Sequence, residues 1–371
     1  MSSDWPMAWF SALPSPHRGF PMVDRRRARH RHGDPANRQG PASLRAVVRL
    51  ARGLIPIIAL IGAAAATAQT QTWPTRSLRI VVTLSPGSTS DIVARVIADP
   101  LSRALGQPVV VENRPGAGGK VAGEHVARAA PDGYTLLGAS ISSHGINPTL
   151  YKDPGYDALR DFTPVTALAS SPNALIVSPA VPATNLREFI TWLRAQPPGS
   201  VNFSSGGEGT SMHLAAEMFN SMVGVRAVHV PFKGSPEAIT AVMKNDVAFM
   251  FPNAPNAIPA GKGGKVRLIA STAASRPSWM ADVPTIAESG LPGFEVTAWF
   301  GLVGPAGMPP AVTERLSVET RKALALPSVR EAFTNQGFDV MGGSPQDFAR
   351  FMAAEIDKWA KVVKASGARV E

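Results

Sequence analysis

Four short loops of small and polar residues are the segments of this sequence best suited to hold a ligand. Each lies between a predicted strand and a predicted helix, and they read PGSTSD (86–91), PGAGGK (115–120), GGEGTS (206–211) and KGSPE (233–237). Such a loop exposes the first backbone N–H groups of its helix, which lack intrahelical partners and carry the positive end of the helix dipole. Glycine and serine let a ligand approach these donors, and the geometry suits a carboxylate or a phosphate.

A simpler interpretation is available for each loop taken alone. Its serine or threonine caps the helix, and an acid such as Asp91 complements the dipole. Both interpretations stay open for any one loop. Four such loops on parallel sheets favour a shared site, because the carboxyl ends of strands in open α/β sheets face one crevice.

The histidines of the same region have alternative roles. His213 follows Thr210 by three residues, so it lies in the first turn of a helix, where it either packs locally or faces the ligand. His144, in the loop-like segment SSHGINP, is expected to line the crevice. His229, in AVHVPF, is interpreted as a core histidine.

No catalytic, metal or cofactor site is predicted. The sequence has no G-x-S-x-G nucleophile motif and no H-E-x-x-H pair. The segment PGAGGK is not a P-loop, because Val121 stands where a Ser or Thr would bind Mg²⁺. No G-x-G-x-x-G opens the first helix, and the chain contains no cysteine, which excludes disulfides, thiolate metal sites and cysteine nucleophiles.

The elements that must position these loops alternate between strands and helices. Most of the apolar runs lack period-2 alternation, as expected of strands buried on both faces. The alternation predicts an α/β fold with parallel sheets. The predicted strands are 78–83, 108–113, 134–140, 174–179, 201–206, 227–232, 247–251, 266–272 and 297–305.

Helix starts and one helix interruption can be predicted from single residues. Ser235 and Ser344 each precede a proline and an acid, which is typical of a helix N-terminus. Pro100 falls inside the first helix and is expected to kink or split it. The last helix carries one apolar stripe, formed by Phe348, Phe351, Met352, Ile356, Trp359 and Val363.

Length and charge exclude some protein classes. The chain has 371 residues, enough for two domains, and 44% of them are hydrophobic. The net charge of +10 is unevenly distributed along the chain. Residues 1–68 hold ten Lys/Arg and three Asp/Glu, whereas the remainder holds 27 Lys/Arg and 24 Asp/Glu. The nearly balanced remainder argues against nucleic-acid binding.

The N-terminal region has the order of a secretory signal peptide. Arg45, Arg49 and Arg52 precede an apolar run at 54–66, and ATA at 66–68 provides a cleavage site near Ala68. The run is too short for a membrane anchor. We therefore assign 45–68 to the signal peptide and 1–44 to a disordered extension, which is either a basic arm or an upstream stretch before the true start codon.

The order of segments along the rest of the chain resembles the Bug family, the TctC-like receptors of tripartite tricarboxylate transporters. The resemblance covers about residues 72–370 and rests on motifs such as LRIVVTLSPGSTSDIVARVIA, VVVENRPGAGGKVAGEHVARAAPDGYTLLGAS, HGINPTLYKDPGYDALRDFTPV, NFSSGGEGTSMHLAAEMF and VHVPFKGSPEAITAVM. It implies a two-lobed, type II-like periplasmic-binding-protein fold, the Venus flytrap, in which each lobe is a mostly parallel sheet flanked by helices. It also implies a monomer in the periplasm of a Gram-negative bacterium.

Individual positions can be matched to the family motifs. The usual P-G-G-x-T-D is similar to residues 86–91, with Ser88 in place of the second glycine and Ser90 in place of the threonine. Glu208 adds a negative charge to the second-lobe loop, and the usual F-D-N reads FPN at 251–253. The ligand-binding residues that we predict are Gly87, Ser88, Thr89, Ser90, Asp91, Ser140, His144, Gly209, Thr210, Ser211 and Asn253.

The resemblance also implies a domain arrangement and a function. Residues 73–172 form the first part of lobe 1, 173–295 form lobe 2, and 296–371 return to lobe 1. The leading hypothesis is a non-catalytic receptor that captures a small organic acid and passes it to integral-membrane permease subunits. The alternative is an extracytoplasmic sensor subunit of a membrane signalling system, and a hydrolase is disfavoured because no nucleophile motif is present.

Overall fold

A computed structural model of the protein describes residues 73–366, with side chains as far as Lys364. The predicted extension (1–44) and signal peptide (45–68) lie outside the described residues. The described chain forms two sheets that are flanked by helices. Within this part of the chain, no helix is both long and apolar enough to span a membrane.

The first sheet has six strands in the order β11-β4-β10-β3-β1-β2. Strand β1 pairs in parallel with β2 on one side and β3 on the other, so that Ile80 lies between Val111 and Leu136. Strand β10 is antiparallel to both β3 and β4, and β11 is antiparallel to β4. The strands are β1 Leu78–Val82, β2 Val109–Asn113, β3 Thr135–Ser140, β4 Phe162–Pro172, β10 Thr297–Pro305 and β11 Asp339–Val340.

The second sheet has five strands in the order β7-β6-β8-β5-β9. Strand β6 is parallel to β7 and β8, and β5 is antiparallel to β8 and β9. Buried aromatic rings fill the space around this sheet, including Phe189, Phe203, Phe219, Phe249 and Phe251. The strands are β5 Ala174–Val177, β6 Val201–Ser205, β7 Ala227–Pro231, β8 Phe249–Met250 and β9 Arg267–Ser271.

We call the six-stranded sheet with its helices the first lobe and the five-stranded sheet with its helices the second lobe. The first lobe contains α1 Thr89–Leu105, α2 Lys120–Ala127, α3 Asn147–Leu150, α8 Pro310–Ala325, α9 Pro327–Asn335 and α10 Pro345–Ser366. The second lobe contains α4 Leu186–Arg194, α5 Ser211–Val223, α6 Ser235–Met243 and α7 Ala254–Lys262.

The same β-α-β-α-β unit occurs once in each lobe. In the first lobe it is β1-α1-β2-α2-β3, and in the second it is β6-α5-β7-α6-β8. In both units the first strand lies between the other two, and all three run parallel. The four glycine- and serine-rich loops therefore follow the carboxyl ends of corresponding parallel strands, which is where open α/β sheets bind ligands.

Each of the nine predicted strands coincides with a strand of the structure, but the sheets are mixed rather than mostly parallel. Each lobe combines the parallel unit with antiparallel strands that enter from the other lobe or return to it. Strand β4 was not predicted, because its sequence FTPVTALASSP contains two prolines and several small residues.

Two helix predictions have different outcomes. Helix α1 continues through Pro100, so the expected split does not occur. The loss of one backbone bond costs about 3 kcal/mol in a helix interior, and the packing of α1 on β2 and α8 compensates for it. The apolar stripe of α10 is confirmed: Trp359 is buried, and its indole N–H donates to Glu355, which also accepts from Trp299.

Candidate functional site

The four loops meet in pairs across the boundary between the two lobes. The β1–α1 loop contacts the β7–α6 loop, where the Ser85 N–H donates to the Lys233 carbonyl oxygen at 3.1 Å. The β2–α2 loop contacts the β6–α5 loop, where a β-carbon built on Gly118 would overlap the Glu208 carbonyl oxygen. We call this boundary region the cleft. The structure thus brings together the loops that the sequence singled out.

Ser88 and Thr89 of the first-lobe loop bind the second lobe. The Ser88 hydroxyl is buried and accepts from the Ser235 N–H at 3.2 Å, so it does not cap α1. The Thr89 hydroxyl donates to Asn256 Oδ1 at 2.8 Å, and the Asn256 amide donates to the Gly87 carbonyl oxygen at 3.0 Å. Asn256 of α7 was not predicted, although it lies one helical turn after the predicted Asn253.

Asp91 stabilises the first-lobe loop from within. Its carboxylate accepts from the Gly87 N–H at 2.9 Å, from Arg95 at 2.9 Å and from the Asn113 amide at 2.9 Å. Burial raises the pKa of Asp91, but the hydrogen bonds from Arg95, Gly87 and Asn113 together lower it by more. The net pKa of Asp91 is therefore below the usual value. These three partners give Asp91 a structural role, and its direct contact with a ligand stays a prediction.

Ser90 occupies the first turn of α1 beside these residues. Its side chain is only 4% exposed, and its hydroxyl has no hydrogen-bond partner among the described residues. A buried hydroxyl without a partner is uncommon in a folded protein and calls for an explanation. A ligand atom bound at the start of α1 would supply one.

The second-lobe loop is organised by Thr210 and His213. The Thr210 hydroxyl caps α5 by accepting from the His213 N–H at 3.3 Å, and it donates to the Gly207 carbonyl oxygen at 2.7 Å. The Gly209 N–H donates to His213 Nδ1 at 3.3 Å. Burial, with a smaller effect from neighbouring His229, lowers the pKa of His213 to about 3, so its ring is neutral and can accept. His213 therefore has the local role.

Ser211 and Asn253 belong to a polar cluster beneath the start of α5. The Asn253 amide donates to Asn173 Oδ1 at 3.2 Å and to the Ser211 hydroxyl at 3.4 Å. Asn173 donates to the Phe251 carbonyl oxygen at 2.6 Å. These side chains are buried, so the cluster presents amide and hydroxyl groups without a formal charge.

Ser140 and His144 lie behind the cleft, in the first lobe. Ser143 bonds with both, because its N–H donates to the Ser140 hydroxyl at 3.5 Å and its own hydroxyl lies 3.0 Å from His144 Nδ1. The His144 ring is fully buried and packs against Phe162, with ring centroids 4.6 Å apart. Burial lowers its pKa to about 3. His144 is thus a neutral residue of the first-lobe interior and not a loop residue as expected; it lies in the helical turn Ser142–Ile146.

The chemistry of the cleft comes from hydroxyls, amides and backbone groups. Among residues 73–366, the buried polar side chains include no lysine and no arginine. No cluster of His, Asp and Glu in this range could hold a metal ion. The arrangement can therefore bind a polar ligand through these groups.

Comparison with known proteins identifies the family. Residues 93–368 match the family described as the tripartite tricarboxylate transporter family receptor, TctC. The chain is 34% identical over 322 residues to BugT of Bordetella pertussis, covering 85% of this chain and 98% of that protein. It is 37% identical to a protein of Pseudomonas sp. strain P51 from the tcbD–tcbE intergenic region, covering 78% of this chain and 86% of that protein.

Solved structures of related proteins share the fold. A protein of R. palustris solved with adipate is 36% identical, with a TM-score of 0.77, and the match covers 80% of this chain and all of that one. MatC from Rhodopseudomonas palustris, with bound malate, is 34% identical, with a TM-score of 0.75, and the match covers 78% of this chain and 100% of that one. The periplasmic binding protein BugD is 30% identical, with a TM-score of 0.77.

These similarities confirm the two-lobed α/β fold of periplasmic binding proteins. They also agree with a cleft that contains polar binding groups. The chain belongs to the Bug or TctC family of tripartite tricarboxylate transporter receptors, which are solute-binding receptors and not enzymes.

Proposed function

We propose that this protein is a periplasmic receptor that captures a small organic acid between its two lobes and delivers it to the permease of a tripartite transporter. The acid bridges the β1–α1 loop and the β6–α5 loop through backbone N–H groups and hydroxyls. The main support for the proposal is that the buried hydroxyl of Ser90, in the first turn of a 17-residue helix, has no hydrogen-bond partner among the described residues.

The helix starts at the cleft support an anionic ligand. Helices α1, α6 and α7 all begin there, and none is capped by the side chain of its own N-cap residue, although the Ser235 N–H of α6 donates to the Ser88 hydroxyl. Backbone N–H groups at a helix start and the helix dipole together favour a carboxylate at such a position. A carboxylate held by backbone N–H groups needs no arginine or lysine, which agrees with the absence of both from the buried polar side chains among the described residues.

The related proteins support the same class of ligand. Adipate and malate, which accompany two of the structures similar to this chain, are both small dicarboxylic acids. Receptors of this fold hold their ligands between two lobes, so the lobes must open to admit the acid.

We propose that the lobes are divided as 73–172, 173–295 and 296–371, with a hinge where the chain crosses between them. The two crossings, at 172–173 and 295–296, both contact Thr272 of the second lobe, whose hydroxyl lies 3.0 Å from the Asn173 carbonyl oxygen and 2.5 Å from the Val296 carbonyl oxygen. The Asn173 N–H donates to the Thr272 hydroxyl at 2.8 Å. A single side chain thus links the two crossings.

Calorimetric titration of the purified protein with succinate, malate and adipate tests the binding function. We expect at least one acid to bind, and Ser90→Ala to weaken that binding at least tenfold. Ser317→Ala is the matched control, because Ser317 also has a buried hydroxyl without a described partner but lies within α8. Binding of none of these or other small acids would refute the carboxylate function, and equal effects of the two substitutions would refute the role of Ser90.

Uptake by cells tests the delivery step. Deleting the gene for this receptor should abolish uptake of the acid that the purified protein binds, and the wild-type gene should restore it. Uptake that persists without the receptor, together with a loss of acid-dependent signalling, would favour the sensor role instead.

A further inference from the structure

Asn147 places a buried acceptor at the boundary between the lobes. It is the first residue of α3, and its side chain is fully buried. Its Nδ2 donates to the Gly118 carbonyl oxygen at 3.2 Å, whereas its Oδ1 has no hydrogen-bond partner among the described residues. A β-carbon built on Gly209 would approach this Oδ1 to 2.6 Å. The oxygen therefore points across the cleft at the second-lobe loop.

The orientation of the Asn147 amide follows from its partner. Exchanging the nitrogen and oxygen atoms would place Oδ1 against the Gly118 carbonyl oxygen, and two acceptors cannot form a hydrogen bond. The free end of the side chain is thus an acceptor, and only a donor can satisfy it.

Tyr151 presents a second group at the same place. Its hydroxyl is buried and has no hydrogen-bond partner among the described residues, and its ring carbon Cε2 would lie 3.6 Å from a β-carbon on Gly209. Burial, with a smaller effect from Glu208, raises the pKa of Tyr151 to about 12, so the hydroxyl keeps its proton. One turn of the second-lobe loop therefore faces both an unpartnered acceptor and an unpartnered hydroxyl.

We propose that Asn147 and Tyr151 form a subsite for a hydrogen-bond donor that the ligand carries in addition to its carboxylate. A hydroxyl, an ammonium or a carboxamide group would donate to Asn147 Oδ1, and the Tyr151 hydroxyl would complete the contact. A second carboxylate does not fit, because it brings no donor and lies close to the negative charge of Glu208. This inference rests on the proposed function and narrows its ligand to acids with a donor-bearing substituent.

The preference for donor-bearing acids depends on whether the ligand gives Asn147 Oδ1 a hydrogen-bond donor or leaves it buried without one. An unsubstituted acid leaves Asn147 Oδ1 buried without a donor when the lobes close, whereas a hydroxy or amino acid satisfies it. The discrimination is therefore expected in the closed complex, where the two groups are shielded from water.

Titration with matched acids tests the subsite. The probes are succinate, which has no donor, and malate, aspartate and succinamate, which add a hydroxyl, an ammonium and a carboxamide; adipate and 3-hydroxyadipate form a longer pair. We expect at least one donor-bearing acid to bind tenfold or more tightly than its unsubstituted partner. If each unsubstituted acid binds as tightly as the donor-bearing acids matched to it, the subsite is refuted and the proposed function is not. If the protein binds no acid, the proposed function is contradicted as well.

Three variants locate the effect. Asn147→Leu and Tyr151→Phe should each reduce the preference to less than threefold. Asn220→Leu is the control, because Asn220 also buries an unpartnered Oδ1 but lies near the end of α5, and the preference should persist. Tyr151→Phe keeps the aromatic ring, so it remains informative if Asn147→Leu fails to fold. A preference that survives Tyr151→Phe, or that Asn220→Leu also removes, would overturn the proposal.

Discussion

Gly118 of the first lobe lies directly against the Glu208 carbonyl oxygen of the second lobe, so closely that a β-carbon on Gly118 would overlap it. Two other glycines have the same relation to the opposite lobe. A β-carbon on Gly234 would overlap the Ser85 and Ser88 hydroxyls, and one on Gly209 would come within 2.6 Å of Asn147 Oδ1. The closed arrangement of the lobes therefore requires that these positions carry no side chain.

Gly118→Ala should prevent full closure of the lobes. The obstacle is a backbone oxygen, which cannot rotate away as a side chain can. We expect the affinity for the bound acid to fall at least tenfold, and the decrease in radius of gyration on ligand addition, measured by small-angle X-ray scattering, to disappear.

Gly106→Ala provides the control for backbone strain. Gly106 has φ +69° and Gly118 has φ +56°, so alanine is strained at both positions, but nothing lies within 4 Å of a β-carbon at Gly106. Gly106→Ala should lower the melting temperature and leave closure intact. If it abolished the ligand-induced compaction as well, the steric explanation for Gly118 would be wrong.

The bridge between Thr89 and Asn256 should contribute to the stability of the closed form. Two hydrogen bonds at 2.8 and 3.0 Å join the β1–α1 loop to α7 through the Asn256 amide. Each bond is worth about 1 kcal/mol, so Asn256→Ala, which removes both, should weaken acid binding by roughly thirtyfold, mainly through faster dissociation. Stopped-flow measurement of the dissociation rate provides the check.

A double-mutant cycle with Thr89→Val tests whether the two residues act together. The hydroxyl and the amide share one bond, so the effect of the double variant should be smaller than the sum of the single effects. Strictly additive effects would mean that Thr89 and Asn256 contribute to closure separately.

Thr210→Ala should impair both folding and binding, because one hydroxyl caps α5 and also fixes the ligand loop at Gly207. Loss of an N-cap costs about 1 kcal/mol. The matched variant is Asn185→Ala, since Asn185 caps α4 through the Glu188 N–H at 3.0 Å, outside the cleft loops. Urea denaturation should show similar losses of stability, and titration should show weaker acid binding only for Thr210→Ala. Equal affinities in the two variants would limit Thr210 to capping.

The sequence predicted the loops well because their chemistry is local. Glycine, serine and proline determine where a strand ends and a helix begins, and nine strands around the loops are recognisable from short apolar runs. The rule that the carboxyl ends of parallel strands share one edge of the sheet brings together the two loops of each lobe, whereas the contacts between loops of opposite lobes come from the tertiary structure.

The partners of the loop residues could not be predicted because they come from distant parts of the chain. Asp91 could equally bind a ligand or stabilise its own loop, and the position of Asn113, 22 residues further along the chain, favours the second role. Asn256 and Asn147 give no sequence signal of their own, since their importance depends on which lobe faces them. Strand β4 escaped prediction because its pairing with β10 outweighs its weak strand propensity.

The stacked pair of His213 and His229 should make the protein less stable in mild acid. The ring centroids are 3.9 Å apart, and His229 Nε2 lies 2.6 Å from the Ser205 hydroxyl. Burial, together with His229, lowers the pKa of His213 to about 3, and burial lowers that of His229 to about 4. An unfolded histidine titrates near pH 6.5, so the unfolded chain takes up protons that the folded protein does not. The free energy of unfolding therefore decreases as the pH falls below about 6.5.

Between pH 7.5 and pH 5 the decrease should be roughly 2 kcal/mol for each of these histidines. Burial raises the pKa of Glu217, whose carboxylate lies 3.7 Å from His213 Nε2, so protonation of this acid in the folded state offsets part of the loss. Urea denaturation at several pH values measures the slope, and His229→Gln should flatten it while keeping a polar partner for Ser205. In the folded protein His213 stays unprotonated over this range, so the Gly209 N–H keeps its acceptor and acid affinity should not change with it. Stability that is independent of pH in this window would show that neither histidine is buried in its neutral form.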